Sequence, residues 1–481
     1  MDVNGIDNLR QQKDAMTASL KENMNRKLDI DKNFDLVYRV IQIGGREACM
    51  YFVDGFCKDA LMQKILQHFM DIQPEELPEN AHEMSKKCVP YVEVDLQSDF
   101  SQIIYFIMSG VFALFIDGYD QCILIDSRTY PARSVSEPEK DKALRGSKDG
   151  FVETIVFNTA LIRRRIRSTN LRMEMFHAGN SSQTDIVLCY MENRVDQKFL
   201  EQIRKRIQNI KVDALTMNQE SLAECLYQHK WYNPFPKFKF TERPDTTAAS
   251  ILEGSIVVLV DNSPSAMILP TSVFDIIEDA DDYYFPPITG TYLRLSRIVI
   301  NLAAVFLTPV LLLLLSNPSW IPECLNFIKI SEPVNVPILY QFLLLEFAID
   351  GLRLASLNTP TMFSTPLSVV AGIILGDYTV SSGWFNAEVM LYMAFVAVAN
   401  YTQVSFELGY ALKFMRIILL CLTAWFDIYG FIAGTLLTIA CIVFNKTISG
   451  KSYIYPLIPF NLRQCMKRFF RVSLPRSEKK N

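Results

Sequence analysis

The sequence predicts an α/β soluble N-terminal region of two tandem α/β modules, followed by an all-α polytopic membrane domain. Charged residues are frequent up to about residue 290 and scarce between 298 and 445. One order of predicted elements occurs twice in the charged region, which indicates a repeated unit. The expected domains are a polar tail (1–30), a first α/β module with a linker (31–150), a second α/β module (151–290), a membrane domain of about 5–6 helices (291–446) and a basic cytoplasmic tail (447–481).

The first module is predicted from an apolar run and the two helical patterns that follow it. ACMYFVDGF (48–56) has the composition of a strand, and KDALMQKILQHFM continues with apolar residues at helical spacing. SDFSQIIYFIMSG is a second predicted helix. VFALFIDGYDQCILID (111–126) then predicts a hairpin that turns near Asp117-Gly118, because this dipeptide favours tight turns.

The second module repeats the order of strand, helix, helix and hairpin. TDIVLCYMEN (184–193) is a predicted strand, VDQKFLEQIRKRI is an amphipathic helix, and NQESLAECLYQ is a second helix. GSIVVLVDNSPSAMILP (254–270) predicts a hairpin that turns near Asp261-Asn262. A duplication explains this repetition, although two similar open sheets can also arise independently.

The segment 129–153 joins the two modules and mixes both signs of charge with Pro and Gly. This composition is typical of a solvated linker, and the alternative is an ordered loop that contacts a neighbouring subunit. The next helix contains the arginine-rich stretch RRRIR (163–167), which could face nucleic acid or lipid headgroups. We favour a solvated helix end and expect no nucleic-acid partner, because no aromatic residues alternate with the arginines.

Motifs for catalysis or cofactor binding are absent from the sequence. SGKS (449–452) ends like a phosphate-binding loop, but Asn445 stands where the first Gly is required. The ten Cys include no CxxC pair and only four His are present, so metal-site spacing is also lacking. The cysteines suit a reducing compartment. We therefore expect no enzyme, no catalytic residue, no metal site and no cofactor.

The first predicted membrane span is RIVINLAAVFLTPVLLLLLS (297–316), which carries no charge after Arg297. At about 1.5 Å per residue it is long enough for a hydrocarbon core of about 30 Å. Arg294 and Arg297 predict that it begins in the cytoplasm.

The last apolar stretch, 411–445, is too long for a single crossing. Lys413 and Arg416 stand at its start, and residues 446–481 contain nine basic residues and one acidic residue. Because basic residues mark cytoplasmic ends, we predict a two-helix hairpin that turns near residues 425–430 and places both termini in the cytoplasm.

Three charges follow one side of the predicted helix QFLLLEFAIDGLRLA (341–355). Asp350 and Arg353 lie about 40° and −20° from Glu346 around a helix. A charge in the middle of a membrane costs about 2.5 kcal/mol or more. One interpretation is a structural ion pair between Asp350 and Arg353. We favour the other, in which all three residues belong to a polar conduit or gating contact.

The short apolar segment PLSVVAGIILGDYTV (366–380) supplies the other candidate pore residues. It would be about 22 Å long as a helix, so it either spans the membrane or is re-entrant. In a ring of subunits Val370, Ile373 and Ile374 could form a hydrophobic constriction, and Asp377 a ring of carboxylates that favours cations. The alternative is an ordinary helix–helix contact through small residues.

Several motifs resemble the A-subunit family of spore germinant receptors: YFVDGFCKD, YPARSVSEPEKDKALRGSKDGFVETIVFNTALIRRRIR, NPFPK, TERPD and PLIPFN. The similarity covers nearly the whole chain, and 145–167 is its most specific part. It implies a protein of the spore inner membrane, with the soluble domain on the cytoplasmic (core) side and rings that form ligand-gated ion channels. It also makes the linker 129–153 a structured segment. Our candidate subunit contact comprises Arg145, Glu153, Arg163, Arg164 and Arg165.

Two functions from different classes follow from these observations. The first is an oligomeric ion channel that acts in spore germination. The second is a non-conducting membrane scaffold for other germination-receptor or dipicolinic-acid transport proteins. A secondary transporter is disfavoured, because no inverted repeat of spans is visible. Membrane lipid is an expected partner in both cases, and a closed homo-oligomer is required only by the channel.

Overall fold

The structure is a computed structural model of the 481-residue chain. It describes residues 24–25, 28, 30, 36–54, 56–129, 136–138, 141–227, 232–358, 372 and 378–471. The chain forms two compact units, Met1–Arg133 and Ser134–Asn481. The boundary between them falls inside the predicted linker.

The first unit contains a five-stranded antiparallel sheet with the strand order β1-β2-β4-β5-β3. Its strands are β1 (Leu36–Ile43), β2 (Arg46–Val53), β3 (Val94–Gln97), β4 (Phe112–Ile116) and β5 (Cys122–Ile125). Its helices are α1 (Asp59–Asp71), α2 (Ala81–Lys87) and α3 (Phe100–Met108).

Apolar side chains cover both faces of this sheet, because consecutive strand residues point to opposite sides. Met50 of β2 packs with Met62 and Phe69 of α1 on one face. Tyr51, the next residue, packs with Ile103 of α3 on the other face. The result is a sheet between helices, as expected for an α/β module.

The second unit begins with a module of the same topology, in the strand order β6-β7-β9-β10-β8. Its strands are β6 (Leu171–Ala178), β7 (Thr184–Met191), β8 (Lys239–Thr241), β9 (Ile256–Val260) and β10 (Ala266–Leu269). Its helices are α4 (Ile155–Arg165), α5 (Gln197–Gln208), α6 (Gln219–Leu226) and α7 (Pro244–Leu252). Each strand of the first module therefore has a counterpart in the second, which supports a duplication.

Both predicted hairpin turns are present, and each contains a residue with positive φ. Gly118 has φ +86° between β4 and β5, and Asn262 has φ +60° between β9 and β10. Gly and Asn adopt this left-handed conformation more readily than other residues do. The turns predicted at Asp117-Gly118 and Asp261-Asn262 are therefore confirmed.

A helical region follows the second module within the same unit. It contains α8 (Val273–Ile277), α9 (Asp281–Tyr284), α10 (Pro287–Ser316), α11 (Ile338–Asn358), α12 (Thr379–Ser381), α13 (Ala387–Tyr401), α14 (Phe406–Val443) and α15 (Leu462–Phe469). By length and composition, α10 and α14 could each cross a membrane. The predicted fold class, an α/β region followed by helices, is confirmed.

Helix α14 is a hairpin of two arms that reverses at Asp427. This residue has φ 53° and ψ −130°, which is not helical. A Cβ atom on Gly434 would lie 3.3 Å from the Cα of Leu419, whereas fifteen residues of straight helix would separate these positions by about 22 Å. Asn317, just after α10, donates a 2.8 Å hydrogen bond to Asp427. The predicted hairpin in 411–445 is therefore confirmed.

Candidate functional site

Two acidic residues of α11 and two basic residues of α14 form a charge cluster inside the helical region. Glu346 is 3 % exposed and Arg416 is fully buried. Arg416 Nε donates to Glu346 Oε1 at 2.6 Å. Lys413 Nζ lies 3.3 Å from Glu346 Oε2 and also pairs with Asp350. The two carboxylates and two cations balance, so the buried cluster is neutral.

The cluster connects three helices, because Arg416 also reaches α10. Its Nη1 donates to the backbone carbonyl of Ala304, and its Nη2 lies 2.6 Å from Glu346 Oε1. Lys413 Nζ donates to the backbone carbonyl of Glu346 at 3.2 Å. Removing one partner of such a buried pair typically costs about 3–5 kcal/mol, because the other charge stays buried without compensation.

Arg353, the third charge of the predicted stripe, is surrounded by aromatic rings. Its guanidinium lies 5.4 Å from the ring of Tyr401, 5.1 Å from that of Phe406 and 5.4 Å from that of Tyr410. These distances permit cation–π attraction with each ring. Because Asp350 pairs with Lys413 instead, the alternative of an ion pair between Asp350 and Arg353 is wrong.

Sequence analysis missed the two basic partners of the stripe. Lys413 and Arg416 were interpreted only as markers of a cytoplasmic helix start, yet they are 6 % and 0 % exposed. The available signal was their spacing of three residues in an apolar helix, which puts both on one face. Glu346 and Asp350 likewise share one face of α11, so the two acidic and the two basic residues can meet where these helices pack.

The segment 141–153 is an ordered loop held by the TERPD motif (241–245). Asp141 accepts hydrogen bonds from Thr241 Oγ1 and from the backbone N–H of Glu242, both at 2.8 Å. Arg243 donates to the backbone carbonyls of Asp141 and Ser147 at 3.1 and 3.3 Å. This part of the linker is therefore ordered, and its contact with a neighbouring subunit stays a prediction.

A tyrosine at the end of α9 joins this loop to the start of the helical region. Tyr284 donates a hydrogen bond to Asp245, which also pairs with Arg243 at 2.6 Å. The Tyr284 ring covers Gly146, where a Cβ atom would lie 2.2 Å from the ring. Glycine is therefore required at position 146 by close approach as well as by its φ of +106°.

Two carboxyl groups of this loop system have lowered pKa values. Burial alone would raise the pKa of Asp245, but hydrogen bonds from Arg243 and Tyr284 lower it below the ordinary value. Burial opposes ionisation of Asp149 in the same way, and Arg165 and Ser147 lower its pKa. Both carboxylates are therefore charged partners at neutral pH.

Residues of the NPFPK motif (233–237) form hydrogen bonds that connect the second module to the end of α14. Lys237 is 2 % exposed and donates to the side chain of Asn445 and, at 2.6 Å, to the carbonyl of Lys446. Asn233 donates to the same Asn445 Oδ1 at 3.0 Å. Cations are favourable near helix C-termini, where backbone carbonyls lack helical partners.

A second group of ion pairs lies where the module meets α10. Asp282 is fully buried, with Arg294 Nε at 3.2 Å and Arg297 Nη1 at 2.7 Å. Glu278 pairs with Arg294 at 2.5 Å and with Arg468 of α15 at 2.7 Å. Ion pairs thus connect the predicted cytoplasmic end of α10 to Glu278 and Asp282, which precede it, and through Glu278 to α15.

The family match covers residues 22–481, and the matching model is described as "Bacillus/Clostridium GerA spore germination protein". The chain belongs to the GerA spore germination protein family.

Two sporulation and germination proteins match this GerA-family chain over nearly its full length. Stage V sporulation protein AF of Bacillus subtilis is 33 % identical over 459 residues, 95 % of this chain and 93 % of that protein. Spore germination protein KA of the same species is 25 % identical over 475 residues, 97 % and 86 % respectively. The N-terminal domain of the A subunit of the Bacillus megaterium spore germinant receptor GerK3 is 25 % identical, covering 51 % of this chain and 91 % of that one, with a TM-score of 0.21.

Two arginines of the stretch 163–167 form hydrogen bonds within this chain. Arg165 donates to Asp149 at 2.6 Å, and Arg163 donates to the carbonyls of Ser168 and Leu171 at 3.2 and 3.3 Å. Arg164 is exposed, as is Arg145, whose guanidinium lies 5.4 Å from the ring of Phe285.

Glu153 is the remaining residue of the predicted subunit contact, and it makes a backbone hydrogen bond within this chain. The backbone carbonyl of Glu153 accepts a hydrogen bond from Asn262. A subunit contact through Arg145, Glu153, Arg163, Arg164 and Arg165 stays a prediction.

The predicted constriction of Val370, Ile373, Ile374 and Asp377 lies outside the described residues. It stays a prediction. Within the described part of the chain, no group of His, Cys, Asp and Glu side chains is placed to hold a metal ion.

Proposed function

We propose that this GerA-family chain is an A-subunit-like spore germination membrane protein that forms an oligomeric ion channel in the spore inner membrane. The observation that carries the membrane assignment is the exposure of its most apolar helices. Only 39 % of the most apolar stretch of α10 is buried, and only 17 % of that of α14. A core helix of a soluble protein would be mostly covered, so these faces require lipid or neighbouring subunits.

The buried charge cluster supports a gating role for α11. Glu346 and Asp350 are held by Lys413 and Arg416 of the α14 hairpin, so α11 cannot slide along this hairpin without separating these charges. Separation inside a bilayer is costly unless water or ions enter. The cluster therefore favours two discrete arrangements, one closed and neutral, the other open and hydrated.

The second module supplies a route by which a signal reaches this hairpin. Lys237 holds the end of the second arm, and Phe235 packs against Tyr453 with ring centroids 6.2 Å apart. A shift of the module would move the end of α14 with it, because the buried Lys237 is hydrogen-bonded to Asn445 and Lys446, which follow this helix.

The test is ion flux through vesicles that contain the purified protein, together with its oligomeric size in detergent. Flux through a closed oligomer supports the channel. In the variant Glu346→Gln we expect altered flux per molecule together with reduced abundance, because the amide keeps the size and a hydrogen-bond acceptor but leaves the buried Arg416 without its charged partner. Glu323→Gln, an exposed position in the loop before α11, is the matched control and should leave flux unchanged.

The scaffold hypothesis predicts different results in the same experiment. A monomer without flux, with Glu346→Gln indistinguishable from the unmodified protein, would replace the channel by a non-conducting scaffold. If Glu346→Gln lowers abundance and does not change flux per molecule, Glu346 has a structural role only.

A further inference from the structure

The segment 455–470, which follows the α14 hairpin, exposes an apolar surface near the membrane helices. We call it the C-terminal surface segment. It includes the PLIPFN motif (456–461) and helix α15. Its exposed large apolar residues are Tyr455, Leu457, Ile458, Phe460, Leu462, Met466 and Phe470. A soluble protein rarely leaves so many apolar side chains uncovered in one short segment.

Helix α15 separates its residues onto two faces. Cys465 is buried, and the ring centroid of Phe469 lies 5.6 Å from that of Phe274. The adjoining side of the helix presents Leu462, Met466 and Phe470, which are four residues apart and 63 %, 50 % and 45 % exposed. A spacing of four residues places these side chains in one stripe along the helix.

Two exposed basic residues border this apolar stripe. Arg463 and Lys467 are also four residues apart, each next to a member of the stripe. The whole stretch 446–471 contains no acidic residue. A short helix with an apolar stripe flanked by Lys and Arg has the features of an element that lies in a membrane surface.

The segment is held at the level where α10 leaves the soluble module. Arg294 donates to the backbone carbonyls of Lys467 and Arg468 at 3.1 and 3.3 Å. The backbone N–H of Arg471 donates to Thr291 at 3.1 Å. The uncharged part of α10 begins after Arg297, about 5 Å further along the helix axis than Arg294. This is the depth of the headgroup layer if α10 crosses the bilayer.

We propose that the C-terminal surface segment docks on the cytoplasmic membrane surface and binds anionic phospholipid. The apolar stripe and Phe460 enter the headgroup and upper acyl region, while Arg463 and Lys467 meet lipid phosphates. This inference rests on the membrane assignment of α10 and α14, but not on ion conduction. It gives the chain a contact with lipid that fixes the start of α10 relative to the bilayer.

A lipid surface fits these features better than a protein partner does. The basic residues Arg463 and Lys467 lie beside the apolar stripe, as in an amphipathic element that lies in a membrane surface. Anionic lipid offers an apolar layer to the exposed apolar side chains and negatively charged phosphates to Arg463 and Lys467. A protein contact is a separate outcome of the test.

The experiment uses the full chain with a photoreactive residue at Phe460→p-benzoylphenylalanine, reconstituted in vesicles. One set of vesicles contains phosphatidylglycerol and phosphatidylcholine, and the other contains phosphatidylcholine alone. Leu436→p-benzoylphenylalanine on the exposed face of α14 is the membrane control. Phe157→p-benzoylphenylalanine on the exposed face of α4 is the control for a position on the soluble module.

We expect lipid adducts at position 460 well above those at 157, with a severalfold higher yield when phosphatidylglycerol is present. The double variant Arg463→Gln/Lys467→Gln should remove most of this dependence on phosphatidylglycerol while adducts at 436 persist. Protein adducts in place of lipid adducts at 460, or a yield equal to that at 157, overturn the proposal. A failure at 436 as well would overturn the membrane assignment itself.

Discussion

The two α/β modules share one strand order but differ in what they are attached to. The first forms a compact unit of its own that ends near Arg133, whereas the second belongs to one unit with all the helices after it. The same sheet, with helices on both faces, therefore occurs once as an independent unit and once as the base of a helical region. The contacts of individual side chains differ between the two copies, although the strand order is the same.

The start of one helix shows the difference most clearly. In the first module Asp99 precedes α3, and its side chain accepts a hydrogen bond from the backbone N–H of Ser101. At the same point of the second module Arg243 precedes α7, where Pro244 occupies the first turn. Arg243 extends to the loop 141–147 and to Asp245. A local helix cap in one copy is replaced by a long-range connection in the other.

Removing residues 286–481 should have the largest effect on stability. It should destabilise the second module and leave the first module unchanged. Phe235 and Ile276 pack against residues of α10, α14 and the segment after it. Losing this burial would destabilise the module by about 3–6 kcal/mol, at about 1.5–3 kcal/mol for each side chain. Denaturant unfolding of separate fragments 1–133 and 134–285 measures this. An unchanged second module would mean that the helices do not stabilise it.

Arg416→Gln should have the next largest effect and should be confined to the helical region. It leaves Glu346 with only Lys413 as a compensating charge, and we expect a loss of about 3–5 kcal/mol. Thermal unfolding of the full chain in detergent, with resistance of the helices to proteolysis, measures it. The double variant Arg416→Met/Glu346→Leu should recover much of the loss, because it leaves no buried charge from that pair. Equal instability of single and double variants would contradict the importance of the pair.

Arg243→Ala and Asp99→Ala compare equivalent positions directly. The first removes charge-assisted hydrogen bonds to Asp245 and to the loop, and should cost about 1.5–3 kcal/mol. The second removes a helix cap and should cost about 0.5–2 kcal/mol. Proteolysis should in addition cut the loop 141–153 only in Arg243→Ala. Cleavage of this loop at the same rate in both variants would mean that Arg243 does not hold it.

Acid should weaken the second module by a smaller amount through Asp149 and Asp245. The folded pKa of each lies below its unfolded value of about 3.9. Each contribution is therefore complete above the unfolded pKa and is lost as the pH falls through the folded one. Unfolding of the second module should become easier as the pH decreases below about 4, and Asp149→Asn should reduce this slope.

The control for this acid effect lies in the first module. Hydrogen bonding and attraction by Lys87 lower the pKa of Glu83, but this pair is fully exposed and screened by solvent. Glu83→Gln should therefore leave the pH dependence of unfolding almost unchanged. Equal slopes in Asp149→Asn and the unmodified protein would exclude Asp149 as a source of acid sensitivity.

Much of the architecture was predictable because its signals are local. Alternation and helical spacing indicated the repeated modules, and Asp117-Gly118 and Asp261-Asn262 indicated both hairpin turns. The length of 411–445, with basic residues at both ends, indicated the reversal that the structure has at Asp427. In each case residues within a few turns of one another carry the information.

The charge stripe on α11 shows where prediction from sequence stopped. Periodicity put Glu346 and Asp350 on one face but did not identify Lys413 and Arg416, more than sixty residues later, as their partners. It also did not identify Tyr401, Phe406 and Tyr410 as the rings that surround the guanidinium of Arg353. Sequence analysis likewise left the loop 141–153 open, because TERPD, which orders it, lies about a hundred residues away.

The sequence by itself determined the order of elements, the two modules, the apolar helices and the reversal of α14, since backbone preference and hydrophobic spacing act over short distances. Only the tertiary structure decided which charges meet, that their cluster is neutral, and that the second module holds the helices through Lys237 and through Asp245, which binds Tyr284. The physical reason is that the free energy of a buried charge depends on every group within a few ångströms of it. Those groups come from α10, α11 and α14 together, and their proximity is a property of the packed chain.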